Sequence, residues 1–363
     1  MKYMSAELQG RLKHWMYTLR QDLYEPLGNI PVEGFLTTEE LSPQEAAKAK
    51  FAPMQPGAKW GKSYEYLWLR GQLTLPEEAR GQQIVLDLKT GGETTVFVNG
   101  ISFGTYRAGW VEIPHHYLVD NFLTENGIPG TAYEIMLEAY AGHYFPESPM
   151  GSCATGPVLP GLYEDHAIEG ERTALGSITF GIWNEDAYQL YLDMETLSEL
   201  GDQAPQESLR AAQIIEALQK ATLIVDFEQD REARIKSYKA AREALRPALT
   251  AQNGTVVPDF YAIGNAHLDL AWLWPTEETN RKTSRTFAAQ LRLIERYPEY
   301  KYLQSQPAAY VICRKYYPEL YDRIRQAIRS GQWIAEGAMW VEPDTNMTSG
   351  ESLARQLIHG KRF

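Results

Sequence analysis

The feature that most constrains this fold is a short apolar run that leads directly into a polar loop. Residues 260–264 read Phe-Tyr-Ala-Ile-Gly, a composition that predicts a buried β-strand ending at the glycine. His267 and Asp269 follow, and side chains two positions apart in an extended segment point to the same side. We therefore expect an imidazole and a carboxylate to face one point just beyond the end of this strand, where α/β barrels place their reactive groups.

The pair formed by His267 and Asp269 has two interpretations. An imidazole nitrogen and a carboxylate oxygen are standard ligands of a divalent metal ion. The simpler interpretation is a loop histidine that is hydrogen-bonded to a neighbouring carboxylate. The surrounding sequence favours a functional site, because a Trp-x-Trp-Pro run follows the pair and a helix with acidic residues in its first turn is predicted to begin near Thr276.

The alternation of strands and helices after residue 257 predicts a parallel sheet. Strand–helix–strand repeats form parallel sheets with right-handed crossovers. Three such units amount to about half of a β/α barrel. The predicted strands are residues 260–264, 300–304 and 333–336, and the predicted helices are residues 279–296, residues 317–329 and a last helix from residue 349.

Several ordered sequence blocks in this region resemble a single enzyme family. Residues 267–275 read His-Leu-Asp-Leu-Ala-Trp-Leu-Trp-Pro and resemble the metal-binding opening of the α-mannosidases of glycoside hydrolase family 38. The resemblance covers residues 258–363, and the preceding region resembles the N-terminal part of the bacterial and vacuolar members. The further blocks that resemble this family are residues 285–287, 290–292, 305–306, 317–321, 337–344, 349–357 and 360–363.

The resemblance implies both a fold and a site. The intact enzyme is expected to contain a seven-stranded β/α barrel, of which this chain holds the first part. His267 and Asp269 are expected to be two ligands of a zinc ion that holds vicinal hydroxyls of a bound mannose, with Trp272 against the sugar ring. The implied substrate is a terminal α-mannoside of an oligosaccharide, hydrolysed with retention of configuration.

The catalytic carboxylates are not assigned to any residue of this chain. Glu342 and Asp344 follow the third predicted strand, but a retaining glycosidase needs two carboxyls about 5 Å apart, and the resemblance places the nucleophile in a later block. We expect the nucleophile and the acid/base beyond Phe363, so that the isolated chain is inactive. Asp344 is interpreted as a substrate-binding residue in the pocket wall, and Gln304 and Gln306 are weaker candidates of the same kind.

Residues 64–180 change to a strand-like period. Short alternating segments are separated by turn residues, and the Asn-Gly pair at residues 99–100 is the strongest hairpin signal in the chain. This pattern predicts a β-sandwich, and the segment also resembles a jelly roll of the galactose-binding type. We favour a structural role for it over carbohydrate binding. Tyr106, Trp110 and Tyr144 could form a sugar-stacking face, although aromatic side chains of a sandwich more often belong to its core.

Helical periodicity predicts most of the remaining chain. Residues 5–24 and 183–252 carry apolar side chains at helical spacing, and Ser5 is suited to cap the first helix. The predicted multidomain organisation is an N-terminal helix and loop over residues 1–54, a β-sandwich over 55–180, a helical linker region over 181–254 and a partial β/α-barrel catalytic domain over 255–363.

Composition excludes some partners and indicates a compartment. The formal net charge of −12 argues against nucleic acid and anionic membranes, because both select a basic surface. The two cysteines, Cys153 and Cys313, are too few for a disulfide scaffold and fit a reducing compartment. The sequence has no signal-peptide core and no apolar run near the ~20 residues of a membrane span. We therefore expect a cytoplasmic protein.

The sequence leaves two other functions open. A metal-dependent carbohydrate deacetylase also uses His and Asp ligands on a β/α barrel, but it needs further histidines and only His359 follows His267. A non-catalytic carbohydrate-binding module carried by the β-sandwich is the other alternative. The adjacent His115 and His116 are a poor ligand pair, because neighbours on a strand point to opposite faces. Half a barrel exposes sheet edges and apolar helix faces, so a homo-oligomer is expected.

Overall fold

The chain folds into two compact units, each built from separate stretches of sequence. The structure is a computed structural model that describes residues 4–62, 64–106, 121–142, 173–252, 259–270 and 274–363. The first unit comprises Met1–Leu27, Gln82–Ile84 and Gly181–Phe260, and the second comprises Gly28–Gly81, Val85–Phe180 and Tyr261–Phe363.

The helices and strands are labelled here in chain order. The helices are α1 Ala6–Gln21, α2 Pro43–Ala46, α3 Glu185–Gln203, α4 Leu209–Ile224, α5 Arg231–Leu249, α6 Thr276–Arg296, α7 Pro307–Tyr316, α8 Pro318–Arg329 and α9 Gly350–Arg362. The strands are β1 Tyr24–Asn29, β2 Val32–Thr37, β3 Ala52–Met54, β4 Lys59–Trp60, β5 Tyr66–Thr74, β6 Ile84–Leu88, β7 Glu93–Val98, β8 Ile101–Tyr106, β9 Phe122–Thr124, β10 Ala132–Tyr140, β11 Thr173–Ala174, β12 Ile178–Trp183, β13 Gly264–Asn265, β14 Tyr302–Leu303 and β15 Trp333–Ile334.

The first unit is helical, and its main elements are α1, α3, α4 and α5. The predicted cap is confirmed, because the Ser5 hydroxyl accepts a hydrogen bond from the Leu8 amide at 3.2 Å. The Asp22 carboxylate, just after α1, accepts hydrogen bonds from the Arg234 guanidinium at 2.8 Å and the Tyr238 hydroxyl at 2.8 Å. This cluster joins the end of α1 to α5. None of the helices in the described part of the chain is both long and apolar enough to cross a bilayer.

The second unit contains an antiparallel sheet in the order β3-β2-β5-β10-β7-β8. The predicted hairpin is confirmed, because Asn99 and Gly100 connect β7 to β8 with φ angles of 51° and 77°. Positive φ at both central residues is the conformation that matches the twist of two paired strands, and Asn and Gly are the residues that adopt it. A second sheet has the order β1-β12-β6-β9. The predicted β-sandwich is therefore confirmed.

The third part of the architecture is the parallel sheet β13-β14-β15, which lies in the second unit. Gly264 pairs with Tyr302, and Tyr302 pairs with Trp333, in parallel register. Helices α6, α7 and α8 cover this sheet and bury a core in which Phe287 meets the Trp333 ring edge-on at 5.2 Å. Cys313 lies in the same core, and burial raises the pKa of its thiol, so it is a packing residue.

The prediction of a buried strand at residues 260–264 is wrong. Regular pairing begins only at Gly264, and the Phe260 and Tyr261 side chains are 92% and 81% exposed. The physical reason is that β13 is an edge strand, with β14 as its hydrogen-bonded neighbour among the described residues. An apolar composition predicts a strand that packs against another element. No such element among the described residues covers this segment, so Phe260 and Tyr261 stay exposed. The last helix, α9, also has no buried residue.

A candidate metal centre at the ends of the parallel strands

The parallel sheet brings three loops to one edge. His267 and Asp269 follow β13, Ser305 follows β14, and Glu342 lies in the loop after β15. Parallel strands end at the same edge, so side chains from all three loops can meet there. The sheet is therefore the reason that residues 75 positions apart in sequence come into contact.

His267 lies between two carboxylates. Its Nε2 atom is 3.0 Å from Oδ1 of Asp269, and its Nδ1 atom contacts Oε2 of Glu342 at short range. The His267 side chain is 55% exposed and the Asp269 side chain is 42% exposed, so the pair is open to solvent. The predicted convergence of His267 and Asp269 is observed, while Glu342 is a contact that sequence reasoning left without a role.

Glu342 is itself held in place by a third side chain. Ser305 donates its hydroxyl proton to Oε1 of Glu342, while His267 contacts the other carboxylate oxygen. Partial burial tends to raise the pKa of Glu342, but the hydrogen bonds from Ser305 and His267 outweigh it and hold this pKa below its usual range. The hydrogen bond with Glu342, followed by the one with Asp269, raises the pKa of His267.

Two buried glutamine side chains, those of Gln304 and Gln306, support the loop that carries His267. Gln304 and Gln306 are each 1% exposed. Gln306 donates its side-chain amide to the Leu268 carbonyl at 3.0 Å, and its backbone amide donates to the Gln304 side chain at 3.1 Å. Both glutamines therefore shape the loop between His267 and Asp269. The prediction that these glutamines line the pocket does not fit their burial.

The other end of the loop is fixed by helix α6. Thr279 donates its hydroxyl proton to the Leu270 carbonyl at 2.7 Å and accepts a hydrogen bond from the Trp274 indole at 3.2 Å. The Lys282 ammonium lies 4.3 Å from the centre of the Trp274 ring, a cation–π distance. The first turns of α6 thus contact Leu270, just after Asp269, and Trp274. Trp272, predicted to lie against a sugar ring, falls outside the described residues.

Asp344 is placed in a turn of its own loop. Its Oδ1 atom accepts hydrogen bonds from the backbone amides of Asn346 at 2.7 Å and Met347 at 3.3 Å. Aspartate side chains commonly stabilise turns in this way. One carboxylate oxygen therefore has a local structural role, and the assignment of Asp344 to substrate binding stays a prediction.

The geometry of His267 and Asp269 fits two neighbouring ligands of one metal ion. Zinc lies about 2.1 Å from an imidazole nitrogen or a carboxylate oxygen, so two ligands of a tetrahedral site are separated by about 3.4 Å. Nε2 and Oδ1 lie at the hydrogen-bond distance of 3.0 Å, so a small movement of either side chain would let both bind one ion. Within the described ranges, no group of three or more His, Cys, Asp and Glu side chains is placed to hold a metal ion. The pair can therefore contribute part of a ligand set.

A buried ionic network on α6 lies against the antiparallel sheet of the same unit. The Arg281 guanidinium donates to Glu138 on β10 at 2.6 Å, and both side chains are almost fully buried. Arg285 pairs with Glu278, whose other oxygen accepts a hydrogen bond from the Tyr66 hydroxyl at 2.8 Å. The sheet thus fixes the helix that supports the candidate site.

Two family comparisons agree with this architecture. Residues 258–363 match the model of the glycosyl hydrolases family 38 N-terminal domain. A second model, the alpha-mannosidase jelly roll domain, matches residues 29–147. The segment that matches the family 38 model contains β13, β14, β15 and the loops that carry His267, Asp269 and Glu342, and the predicted resemblance is confirmed.

Three curated relatives that this chain resembles are named α-mannosidases. Alpha-mannosidase G of Dictyostelium discoideum is 29% identical over 355 residues, which cover 96% of this chain and 31% of the relative. Alpha-mannosidase 2C1 of Homo sapiens is 28% identical over 372 residues, 97% of this chain and 34% of the relative. Alpha-mannosidase of Saccharomyces cerevisiae is 35% identical over 195 residues, 50% of this chain and 18% of the relative. The chain thus spans about a third of the length of the first two relatives.

Proposed function

We propose that the protein carrying this chain hydrolyses terminal α-mannosides of oligosaccharides and uses a zinc ion bound in part by His267 and Asp269. One observation carries the proposal. The imidazole Nε2 and the carboxylate Oδ1 lie 3.0 Å apart beyond the first parallel strand of the segment that matches the family 38 model. The names of the relatives support a mannoside as the substrate.

Each residue of the site has a distinct task in this proposal. Glu342 accepts the Nδ1 proton of His267, which leaves the Nε2 lone pair free for the metal, and Ser305 keeps the Glu342 carboxylate in position. Asp269 supplies a negative ligand beside this nitrogen. Bound zinc would supply a Lewis acid that orients vicinal sugar hydroxyls and favours distortion of the ring. Trp272 and Asp344 are proposed to contact the substrate.

The proposal also includes the source of the catalytic carboxylates. A retaining glycosidase uses one carboxylate as nucleophile and another carboxyl as acid and base. We assign neither role to a residue of this chain, and we expect both groups to come from residues that it does not contain. A site with part of its ligand set has little affinity for zinc near neutral pH, so the 363-residue chain alone is expected to be inactive.

The test compares this 363-residue chain with the complete gene product. The substrate is an aryl α-mannoside, assayed before chelation, after chelation and after zinc is restored. The complete product should show turnover that chelation abolishes and zinc restores, while the chain alone should show none. His267→Ala and Asp269→Asn in the complete product should each reduce kcat/KM by at least about 100-fold.

Two outcomes would contradict the proposal. Turnover that survives both substitutions would remove His267 and Asp269 from the metal site. Release of acetate from an acetylated sugar, without cleavage of the aryl mannoside, would favour the deacetylase alternative. The family 38 match favours glycosidic-bond hydrolysis over that alternative.

A further inference from the structure

One face of the antiparallel sheet is divided between a covered half and an open half. Alternate residues of a strand point to the same face, and paired residues of adjacent strands share a face. The pairs Trp68 with Glu138 and Arg70 with Met136 therefore lie on one face. Helix α6 covers the part of this face where Arg281 donates a hydrogen bond to Glu138. The strands continue beyond this contact.

The open half forms a cleft with a volume of about 890 Å³. Strands β2, β5 and β10 form its floor, and helix α2 with the segment around Pro53 forms its wall. This volume lies within the range of about 300–1,000 Å³ that is typical of small-molecule sites. The cleft begins at the Arg70–Met136 pair, two residues along the strands from the Trp68–Glu138 pair, so it lies beside the part of the sheet that α6 covers.

An ordered ion pair lines this cleft. The Nε and Nη2 atoms of Arg70 donate to Oε2 of Glu33 at 3.0 Å and 2.7 Å. The Arg70 guanidinium also lies 4.3 Å from the centre of the Phe51 ring, which holds its plane. Both charged side chains are about half exposed. Among the described residues, Nη1 of Arg70 and Oε1 of Glu33 have no hydrogen-bond partner, so one donor edge and one acceptor remain available to a ligand.

The remaining lining combines amides with apolar walls. Gln44, Gln55 and Gln72 each bring a side-chain amide that can donate and accept hydrogen bonds. The apolar wall includes Pro43 and Met136. A sugar presents hydroxyls that donate and accept, together with faces of C–H groups. The lining offers complementary groups of both kinds.

We propose that this cleft binds a neutral oligosaccharide. The cleft is lined by two carboxylates, Glu33 and Glu134, and by one guanidinium, Arg70. Its net charge is therefore −1, which disfavours an anionic ligand. The Arg70–Glu33 pair matches two adjacent hydroxyls, because one can accept from Nη1 while the other donates to Oε1. The inference rests on the proposed function only for the choice of a mannoside as the probe. Of the predicted stacking face, Tyr106 is buried and is not among the residues that line this cleft, and Trp110 and Tyr144 lie outside the described residues.

The experiment measures sugar binding by the whole 363-residue chain with metal removed. Isothermal titration in the presence of a chelator uses an α-linked mannotriose and, for comparison, cellotriose. Binding of at least one of these sugars is expected. Glu33→Gln and Arg70→Met should each weaken it at least tenfold, and Arg70→Lys should weaken it too, because lysine keeps the charge but loses the planar fork.

The matched control is another arginine–glutamate pair outside the cleft. Arg80 pairs with Glu77 through two hydrogen bonds of 2.5 Å and 2.9 Å, and both side chains are exposed. Arg80→Met and Glu77→Gln should leave sugar affinity unchanged. His267→Ala should also leave it unchanged. Circular dichroism should show a folded protein for every variant, because exposed ion pairs contribute little to stability.

Two results would overturn the inference. One is the absence of binding of both sugars at millimolar concentration. The other is binding that His267→Ala abolishes while the Glu33 and Arg70 variants retain it, because the sugar would then occupy the candidate metal site. The hydrolysis assay on the complete gene product is independent of this titration. If that assay fails while the cleft binds sugar, the proposed enzymatic function is wrong and the cleft inference stands.

Discussion

The Arg281 guanidinium and the Glu138 carboxylate meet at 2.6 Å, and their side chains are 7% and 2% exposed. Arg281 lies on α6, which begins seven residues after Asp269, and Glu138 lies on β10 of the antiparallel sheet. Burial tends to raise the pKa of Glu138, and the positive charge of Arg281 opposes that effect. The ion pair therefore anchors the helix that supports the candidate metal loop.

The first prediction concerns the stability of this anchor. Arg281→Met should destabilise the fold by about 3–5 kcal/mol, because it leaves the Glu138 carboxylate buried without a partner. The double variant Arg281→Met with Glu138→Met should recover most of that loss, since it removes both charges. Urea unfolding measures both values. Lys236→Met is the control, because Lys236 forms an ion pair with Glu232 in which both side chains are exposed. A small effect of Arg281→Met, similar to that of Lys236→Met, would contradict the prediction.

The second prediction concerns Glu342. Glu342→Ala should weaken zinc binding by the complete gene product about 10–100-fold, because partners of metal-binding histidines fix the ring and its tautomer. Glu342→Gln should have an intermediate effect, since the amide oxygen still accepts the Nδ1 proton but carries no charge. Competition with a chromophoric chelator gives the affinities. Glu336→Ala, at an exposed carboxylate near the end of β15, should leave affinity unchanged. Equal affinities for wild type and Glu342→Ala would show that Glu342 does not position His267.

The third prediction concerns pH and Asp87. Burial raises the pKa of Asp87, Lys89 offsets this only in part, and Oδ1 has no hydrogen-bond partner among the described residues. The folded protein therefore holds this proton to higher pH than the unfolded chain does. Stability consequently falls as pH rises through the interval between the unfolded and the folded pKa, and the loss is complete above the folded pKa. Asp87→Asn should remove this loss.

Thermal unfolding at two pH values measures the effect. Asp87→Asn should raise Tm at pH 7, by about 2–4 °C for each kcal/mol gained, and the gain should shrink as the pH approaches the ordinary aspartate pKa. Asp322→Asn is the control, since Asp322 is exposed in its pair with Arg325. A lower Tm for Asp87→Asn at pH 7 would indicate that the contact with Lys89 outweighs burial.

The fourth prediction concerns a close approach beside β13. A Cβ atom at Gly264 would lie 2.1 Å from the Tyr300 hydroxyl oxygen and 2.5 Å from Cζ of the ring. The ring cannot swing away freely, because its hydroxyl donates to Gln290 at 2.6 Å. Gly264→Ala should therefore cost about 1–3 kcal/mol of folding free energy and should displace the strand that leads to His267.

Urea unfolding and zinc affinity test this prediction together. Gly350→Ala is the matched control, because nothing lies within 4 Å of a Cβ at that position and alanine suits the first turn of α9. It should be neutral or slightly stabilising. A Gly264→Ala variant with unchanged stability would mean that Tyr300 relocates at little cost.

Local sequence patterns predicted the features that depend on neighbours in the chain. The period of an extended segment placed His267 and Asp269 side by side, and the structure brings them within 3.0 Å. The Asn99-Gly100 turn was predictable because its backbone conformation is restricted to few residue types. The order of strands and helices also predicted the parallel sheet.

Long-range features were not predictable in this way. Glu342 reaches His267 from 75 positions away, and Arg281 reaches Glu138 from 143 positions away. No local period relates such residues, because their contact depends on how the sheets are ordered. The exposure of Phe260 has the same origin, since an apolar run indicates a preference for burial but does not supply the element that covers it.

The most direct test of the metal site is anomalous diffraction at the zinc absorption edge from crystals of the complete gene product. The account predicts one strong anomalous peak about 2.1 Å from both Nε2 of His267 and Oδ1 of Asp269. It also predicts that Nδ1 of His267 stays hydrogen-bonded to Glu342 when the metal is bound. No peak at this position in crystals grown with zinc, with the His267 ring still hydrogen-bonded directly to Asp269, would contradict the account.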